Sequence, residues 1–160
     1  MNVIERLNIL KNNLAIKNYT KVIEGCNKVL KAEPNNFFAH NLCGLAFQGK
    51  GNFQSSINCF NRAIDLKMNN FPAMNNLANS LKALSRMDAA EAMYLKALKV
   101  NAKYINALNN YGNLKQQIGD FNGAIELYTR ALTIDPNQTN VLFSLSSSYQ
   151  EVGDFIKSRE

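Results

Sequence analysis

The sequence predicts an all-α fold, a solenoid of antiparallel helix pairs, and three observations carry that prediction. An alanine followed by a large aliphatic residue recurs as Ala63-Ile64, Ala97-Leu98 and Ala131-Leu132, an interval of 34 residues. Each interval holds two stretches of helical apolar spacing with a turn between them. No insertion interrupts the period, which divides the chain into 3–36, 37–70, 71–104, 105–138 and an incomplete 139–160, read as a single array over 1–160. A unit of this size cannot bury its apolar faces alone and must stack on its neighbours, so function is to be sought on a surface.

Within a unit the first helix is spaced as in Ala107, Tyr111, Leu114 and Ile118. It stops at Lys17-Asn18, Gly51-Asn52, Ser85-Arg86, Gly119-Asp120 and Gly153-Asp154, where a glycine takes the left-handed conformation that ends a helix. The second helix runs as in Ala124, Ile125, Tyr128, Ala131 and Leu132, and Asp135-Pro136-Asn137 closes it. Small residues (Gly44, Ala78, Gly112, Ser146) recur on the first helix and bulky ones (Phe60, Tyr94, Tyr128) on the second, the alternation that lets helix pairs stack in constant register. In the fifth unit the first helix is expected from Thr139 to about Glu151, with Val141, Leu145 and Tyr149 turned back onto the fourth unit. Gly153-Asp154-Phe155 then opens a second helix, and the sequence stops inside that pattern. The open end reads as the edge of a longer protein or as a face covered by another copy, a route to a homo-oligomer.

Hydrophobic content of 46% and charged content of 19% are those of ordinary globular proteins. The apolar runs fall far short of the roughly 20 residues that cross a bilayer, and the first six residues lack the order of a secretion signal, so the chain reads as cytoplasmic with no membrane partner. The net charge of +6 raises nucleic acid as a partner. Two features set that reading aside. Lys28, Arg62, Lys96 and Arg130 share one repeat position, late in each second helix, where solvation and the helix dipole favour a cation. The aromatics that base stacking needs (Phe53, Phe60, Tyr94, Phe121, Tyr128, Phe155) fall on packing positions.

Cys26, Cys43 and Cys59 form no CxxC and fall on helix positions as small core residues. His40 is the one histidine, and no metalloprotease, phosphate-loop or nucleophile-elbow motif is present. Asp65, Asp88, Asp120, Asp135 and Asp154 read as caps and turn formers. The chain is therefore expected to be no enzyme, with no catalytic or metal-binding residue and no cofactor.

The markers Gly112, Gly119-Asp120-Phe121, Ala124-Ile125, Tyr128, Ala131-Leu132 and Asp135-Pro136-Asn137 resemble the tetratricopeptide repeat family, and the resemblance covers essentially the whole chain. Departures are local: His40, Met74, Leu108 and Leu142 stand where the family often has Trp, and Met68 and Ala102 replace the closing proline. The resemblance implies a right-handed superhelix whose concave wall is built from the first helices. On that wall lie Asn41, Asn75, Asn79, Asn106, Asn109, Asn113 and Asn140, with Asn76, Asn110, Gln48, Gln116 and Gln150 nearby. Asparagine is a poor helix-interior residue, so its repeated use there needs a reason.

An amide offers one acceptor and two donors, which suits the alternating N–H and C=O of an extended peptide whatever its side chains. This lining is similar to the asparagine-rich repeat region of O-GlcNAc transferases and of related bacterial repeat proteins. The predicted peptide-binding set is Asn41, Asn75, Asn79, Asn106, Asn109, Asn113, Gln116, Asn140 and Lys82. Within it, Asn75, Asn79, Asn109 and Asn113 are expected to be exposed, while Asn76 and Asn110 are partly structural. Two other readings stand beside this one: the substrate-recognition region of a larger glycosyl-, sulfo- or methyltransferase, and a self-associating spacer whose amides only fix stacking. The family's carboxylate clamp is set aside, because Asn79 and Asn110 match its asparagines while Asn75, Asn140 and Ser144 hold its basic places. Lys11, Lys82 and Lys115, with Phe38 and Phe47, lean the expected partner toward an acidic or aromatic-bearing unstructured segment.

Overall fold

The computed structural model describes residues 2–157, with side chains to residue 153. Among the described residues there are nine α-helices and no strand: α1 (Val3–Ala15), α2 (Tyr19–Ala32), α3 (Phe37–Gly49), α4 (Phe53–Leu66), α5 (Phe71–Ala83), α6 (Met87–Val100), α7 (Ile105–Gln117), α8 (Phe121–Ile134) and α9 (Thr139–Lys157). The chain forms two compact units, Met1–Ala90 and Glu91–Glu160, with the division inside α6.

The 34-residue period is written in the caps. Asn2, Asn36 and Asn70 begin the first helices α1, α3 and α5, each side-chain oxygen accepting from the N–H three residues on. Asn18, Asn52 and Asp120 do the same for the second helices α2, α4 and α8. A cap of this kind satisfies a donor that the helix itself leaves unpaired, worth roughly 1 kcal/mol. The turn inside each helix pair is equally regular. Lys17, Gly51, Ser85 and Gly119 all have positive φ (57°, 74°, 57° and 83°), so the left-handed turn forms even where the repeat carries no glycine.

In the first unit α1, α2, α3, α4 and α5 pack in sequence, each on the one before it, and α3 also neighbours the first helices α1 and α5. Val22, Cys26, Val29, Ala39, Leu42, Cys43 and Ala46 form the core there, with Leu10 closing one side. In the second unit α7, α8 and α9 pack in the same order, around Leu108, Leu114, Ala124, Leu127, Tyr128, Ala131 and Val141. The predicted small-against-large packing is tight. A Cβ on Gly44 would lie 2.6 Å from the Phe60 ring, and one on Gly112 would lie 2.5 Å from Tyr128. Phe60, Tyr94 and Tyr128 are fully buried.

The fifth unit departs from expectation. Its first helix does not stop near Glu151 at a Gly153-Asp154 turn, for α9 runs unbroken to Lys157. A nucleated helix gains a hydrogen bond for each residue added, whereas a new helix of a few residues must meet the nucleation cost with little surface to bury. The side chain of Phe155 lies outside the described residues. Of the three residues expected to pack back, Val141 is buried and Leu145 half-buried, but Tyr149 is 56% exposed and Ser148 takes a place on the buried side. The Ser148 hydroxyl is satisfied within the helix by the carbonyl of Ser144 at 3.1 Å.

Candidate functional site

The first helices carry the predicted amides, and each unit has its own share. In the first unit these are Asn41 on α3 and Asn75 and Asn79 on α5. Asn41 is partly exposed, yet its side-chain oxygen is sealed from solvent and has no hydrogen-bond partner. Asn75 is 3% exposed, a correction to the expected open ladder. Its Nδ2 turns along the helix and donates to Asn76 Oδ1 at 3.2 Å, so the amide is spent on its neighbour. Asn79 is half-buried.

Lys82 is also half-buried; among the described residues no acidic group pairs with it, and desolvation pulls its ammonium below the usual lysine range. Gln48 proves structural. Its Nε2 donates to Ser80 Oγ at 2.9 Å and to the Asn76 carbonyl at 3.2 Å, and Ser80 Oγ lies 2.9 Å from Ser56 Oγ. This buried polar line ties α3, α4 and α5 together.

In the second unit Asn106, Asn109, Asn113 and Gln116 lie on α7 and Asn140 on α9. Asn109 repeats the condition of Asn41: it is partly exposed, with a sealed and unpaired side-chain oxygen. Asn106 and Asn140 are exposed, and Asn106 Nδ2 reaches the Tyr104 hydroxyl at 3.5 Å. Asn113, expected to be open, accepts from the buried Tyr128 hydroxyl at 2.7 Å. Gln116 accepts from the same hydroxyl at 3.4 Å and donates to Ser147 at 3.3 Å, so it bridges α7 to α8 and α9. A phenol buried among apolar groups must find an acceptor, and these two amides are what α7 presents to it.

The three first-helix lysines part company in the structure. Lys115 pairs with Glu91 at 2.9 Å and Asp120 at 3.2 Å, and Tyr111 donates its hydroxyl to the same Glu91 carboxylate. The hydrogen bond from the Tyr111 hydroxyl, and after it the Lys115 ammonium, hold the carboxylate of Glu91 below its ordinary range, and the Glu91 carboxylate holds the Lys115 ammonium above its own. Lys115 is therefore a structural cation. Lys11 is exposed, with its Nζ 6.0 Å from the centre of the Phe38 ring. Phe38 is half exposed, whereas Phe47 packs on the core.

The Glu91 cluster was invisible in the sequence, since nothing in its spacing links Glu91 on α6 to Lys115 on α7. The cysteines meet as well. The Cys43 thiol lies against those of Cys26 and Cys59, and contact with Cys26 together with burial pushes it up to about 12. A thiol held protonated is a poor nucleophile and a poor metal ligand. Among the described residues no group of three or more His, Cys, Asp or Glu could hold a metal ion. None of the described helices is long and apolar enough to cross a membrane.

The described residues thus define a helix-pair repeat protein whose first helices present side-chain amides. Profiles described as Tetratricopeptide repeat match residues 39–70 and 71–137. The chain belongs to the tetratricopeptide repeat family.

Solved structures share the fold. PilF of Pseudomonas aeruginosa is 18% identical, with a TM-score of 0.86 over 97% of this chain and 71% of that one. YrrB, described as a TPR protein with an unusual peptide-binding site, is 16% identical, with a TM-score of 0.72 over 93% and 77%. The first TPR of Spaghetti (RPAP3), solved with the HSP90 peptide SRMEEVD, is 20% identical, with a TM-score of 0.70 over 73% and 93%. At such identities the likeness speaks to the fold. No curated protein matches the chain significantly.

Proposed function

We propose that this chain is a protein-interaction scaffold whose first helices, in each unit, hold extended peptide segments through contacts from side-chain amides to the peptide backbone. The observation that carries the proposal is the pair Asn41 and Asn109. They stand at the same repeat position, and each keeps a buried amide oxygen without a partner. An unpaired buried acceptor costs about 1–3 kcal/mol, and because each side chain is partly exposed, a turn of the amide about its last side-chain bond would bring that oxygen out to a ligand that supplies the missing donor. A backbone N–H is such a donor, and it is present whatever the peptide's sequence.

Asn79, Asn106 and Asn140 extend the set. Asn75, Asn113 and Gln116 serve the scaffold, and Lys82 stands among the amides as a cation with no counter-charge among the described residues. YrrB and RPAP3, which share the fold, are peptide binders by their descriptions, and this supports the reading. Unlike a clamp for a charged terminus, the face is built mainly of neutral amides.

The test compares a labelled unstructured ten-residue peptide with its backbone N-methylated counterpart by fluorescence anisotropy. N-methylation removes the donors and leaves every side chain, so the reading requires affinity to fall at least about tenfold, the effect of losing one or two hydrogen bonds. Equal affinity of the two peptides would refute it.

A further inference from the structure

The first unit has a cleft of about 210 Å³ between α1 and α3, lined by Ile4, Leu7, Asn8, Lys11 and Phe38. Its walls combine two chemistries. Ile4 is 71% exposed and Phe38 50% exposed, large apolar side chains left open on one surface, with Leu7 partly buried between them. Beside them Lys11 leans over the Phe38 ring, and no ion pair among the described residues includes it. The one acid on α1, Glu5, is turned to the helix start, where it accepts from Asn2 N at 3.1 Å and Asn2 Nδ2 at 3.2 Å.

Acids are also missing from the other first helices of this unit: 37–49 and 71–83 contain none of the chain's twelve Asp and Glu residues. No carboxylate on α3 or α5 therefore competes for Lys11, the open cation at the cleft. Phe38 in the cleft wall precedes Asn41 by three residues on α3, one helical turn, so a peptide backbone held at Asn41 would lie within a turn of the cleft.

We propose that this cleft is the anchor subsite of the peptide groove: it takes one large apolar side chain of the bound segment, while Lys11 takes a carboxylate on the residue beside it. The proposal rests on the peptide-binding reading and adds to it a preference. The amides hold chain of any sequence, and the cleft sets the register by selecting an apolar residue next to an acidic one. A volume of 210 Å³ accommodates a leucine or phenylalanine side chain and leaves the backbone at the rim. The Phe38 face supplies aromatic contact, and its quadrupole helps to hold the Lys11 ammonium over the mouth.

Four labelled ten-residue Gly/Ser peptides test this, with Leu-Asp, Ala-Asp, Leu-Lys or Ala-Lys at the centre, titrated by anisotropy against the full chain and against Phe38→Ala and Lys11→Glu. Both positions are on the surface, and circular dichroism checks that the variants keep their helices. For the unaltered chain the Leu-Asp peptide binds about tenfold more tightly than Ala-Asp or Leu-Lys, the scale at which a pocket tells apart side chains of different size. Phe38→Ala removes the Leu-over-Ala preference, and Lys11→Glu reverses the Asp-over-Lys preference. Four equal affinities that all fall on N-methylation overturn the anchor subsite and leave the backbone-binding reading standing. No binding by any of the four overturns both.

Discussion

Replacing Asn41 and Asn109 by alanine should make the protein more stable and its peptide binding weaker. Each side chain carries a buried oxygen that no group in the described structure satisfies, and removing one relieves about 1–3 kcal/mol. Alanine also exceeds asparagine in helix propensity by about 0.5 kcal/mol at mid-helix. Part of this is offset by lost contacts around the amide, which leaves a net gain of about 1–2 kcal/mol per site. The two residues share no partner, so the gains should add. For a chain of this length the double variant should then melt roughly 5–10 °C higher.

Thermal unfolding followed by circular dichroism at 222 nm reads the stability, and anisotropy with the ten-residue peptide reads the binding. A double variant that melts lower than the parent would refute the reasoning, because it would mean the amides are satisfied in the folded protein and serve its packing. Higher stability with undiminished binding would keep the structural half of the argument and remove the functional half.

Three other outcomes follow from the same structure. Asn113→Ala should destabilise by about 1–2 kcal/mol, the opposite sign to Asn109→Ala one turn away, because it strips the buried Tyr128 hydroxyl of its 2.7 Å acceptor; urea unfolding of the two variants side by side checks the contrast. Ser85→Gly should stabilise by about 0.5–1 kcal/mol and Gly119→Ala should cost about 1 kcal/mol, since both positions have positive φ and a Cβ at Gly119 meets nothing within 4 Å, leaving strain as the whole effect. The Glu91 cluster should make stability fall on acidification. Its folded carboxylate is held below the ordinary value of 4.5, so its contribution is complete above that value and lost as pH falls through the folded one. Melting temperature against pH, with Glu91→Gln as the variant that loses this dependence, is the measurement.

The repeat period, the helix pairs, the caps and the family were legible in the sequence because each is a local or periodic property. An asparagine before a helix, a small residue facing a ring and a turn every 34 residues look alike in every unit, so each copy corroborates the others. The first-helix amides were legible as a class, but the surroundings of each were not. Asn75, Asn109 and Asn113 have the same residue type on the same kind of helix, yet one is buried against Asn76, one has an unpaired oxygen and one holds Tyr128. Which outcome holds depends on what a neighbouring helix brings to that side chain. The end of α9 misled for a related reason: Gly153 carries the turn signal, but a turn forms only when the segment after it gains more by folding back than by continuing the helix.

By itself, then, the sequence determined an all-α repeat protein of tetratricopeptide type with amides on its first helices, since periodicity and helix chemistry act through near neighbours along the chain. The tertiary structure alone decided which amides are spent on the scaffold. It also tied Lys115 to Glu91 and Asp120 while leaving Lys11 open beside an apolar cleft. Hydrogen bonds and ion pairs act over a few ångströms in space, and residues far apart in sequence come within that range only when the helices pack.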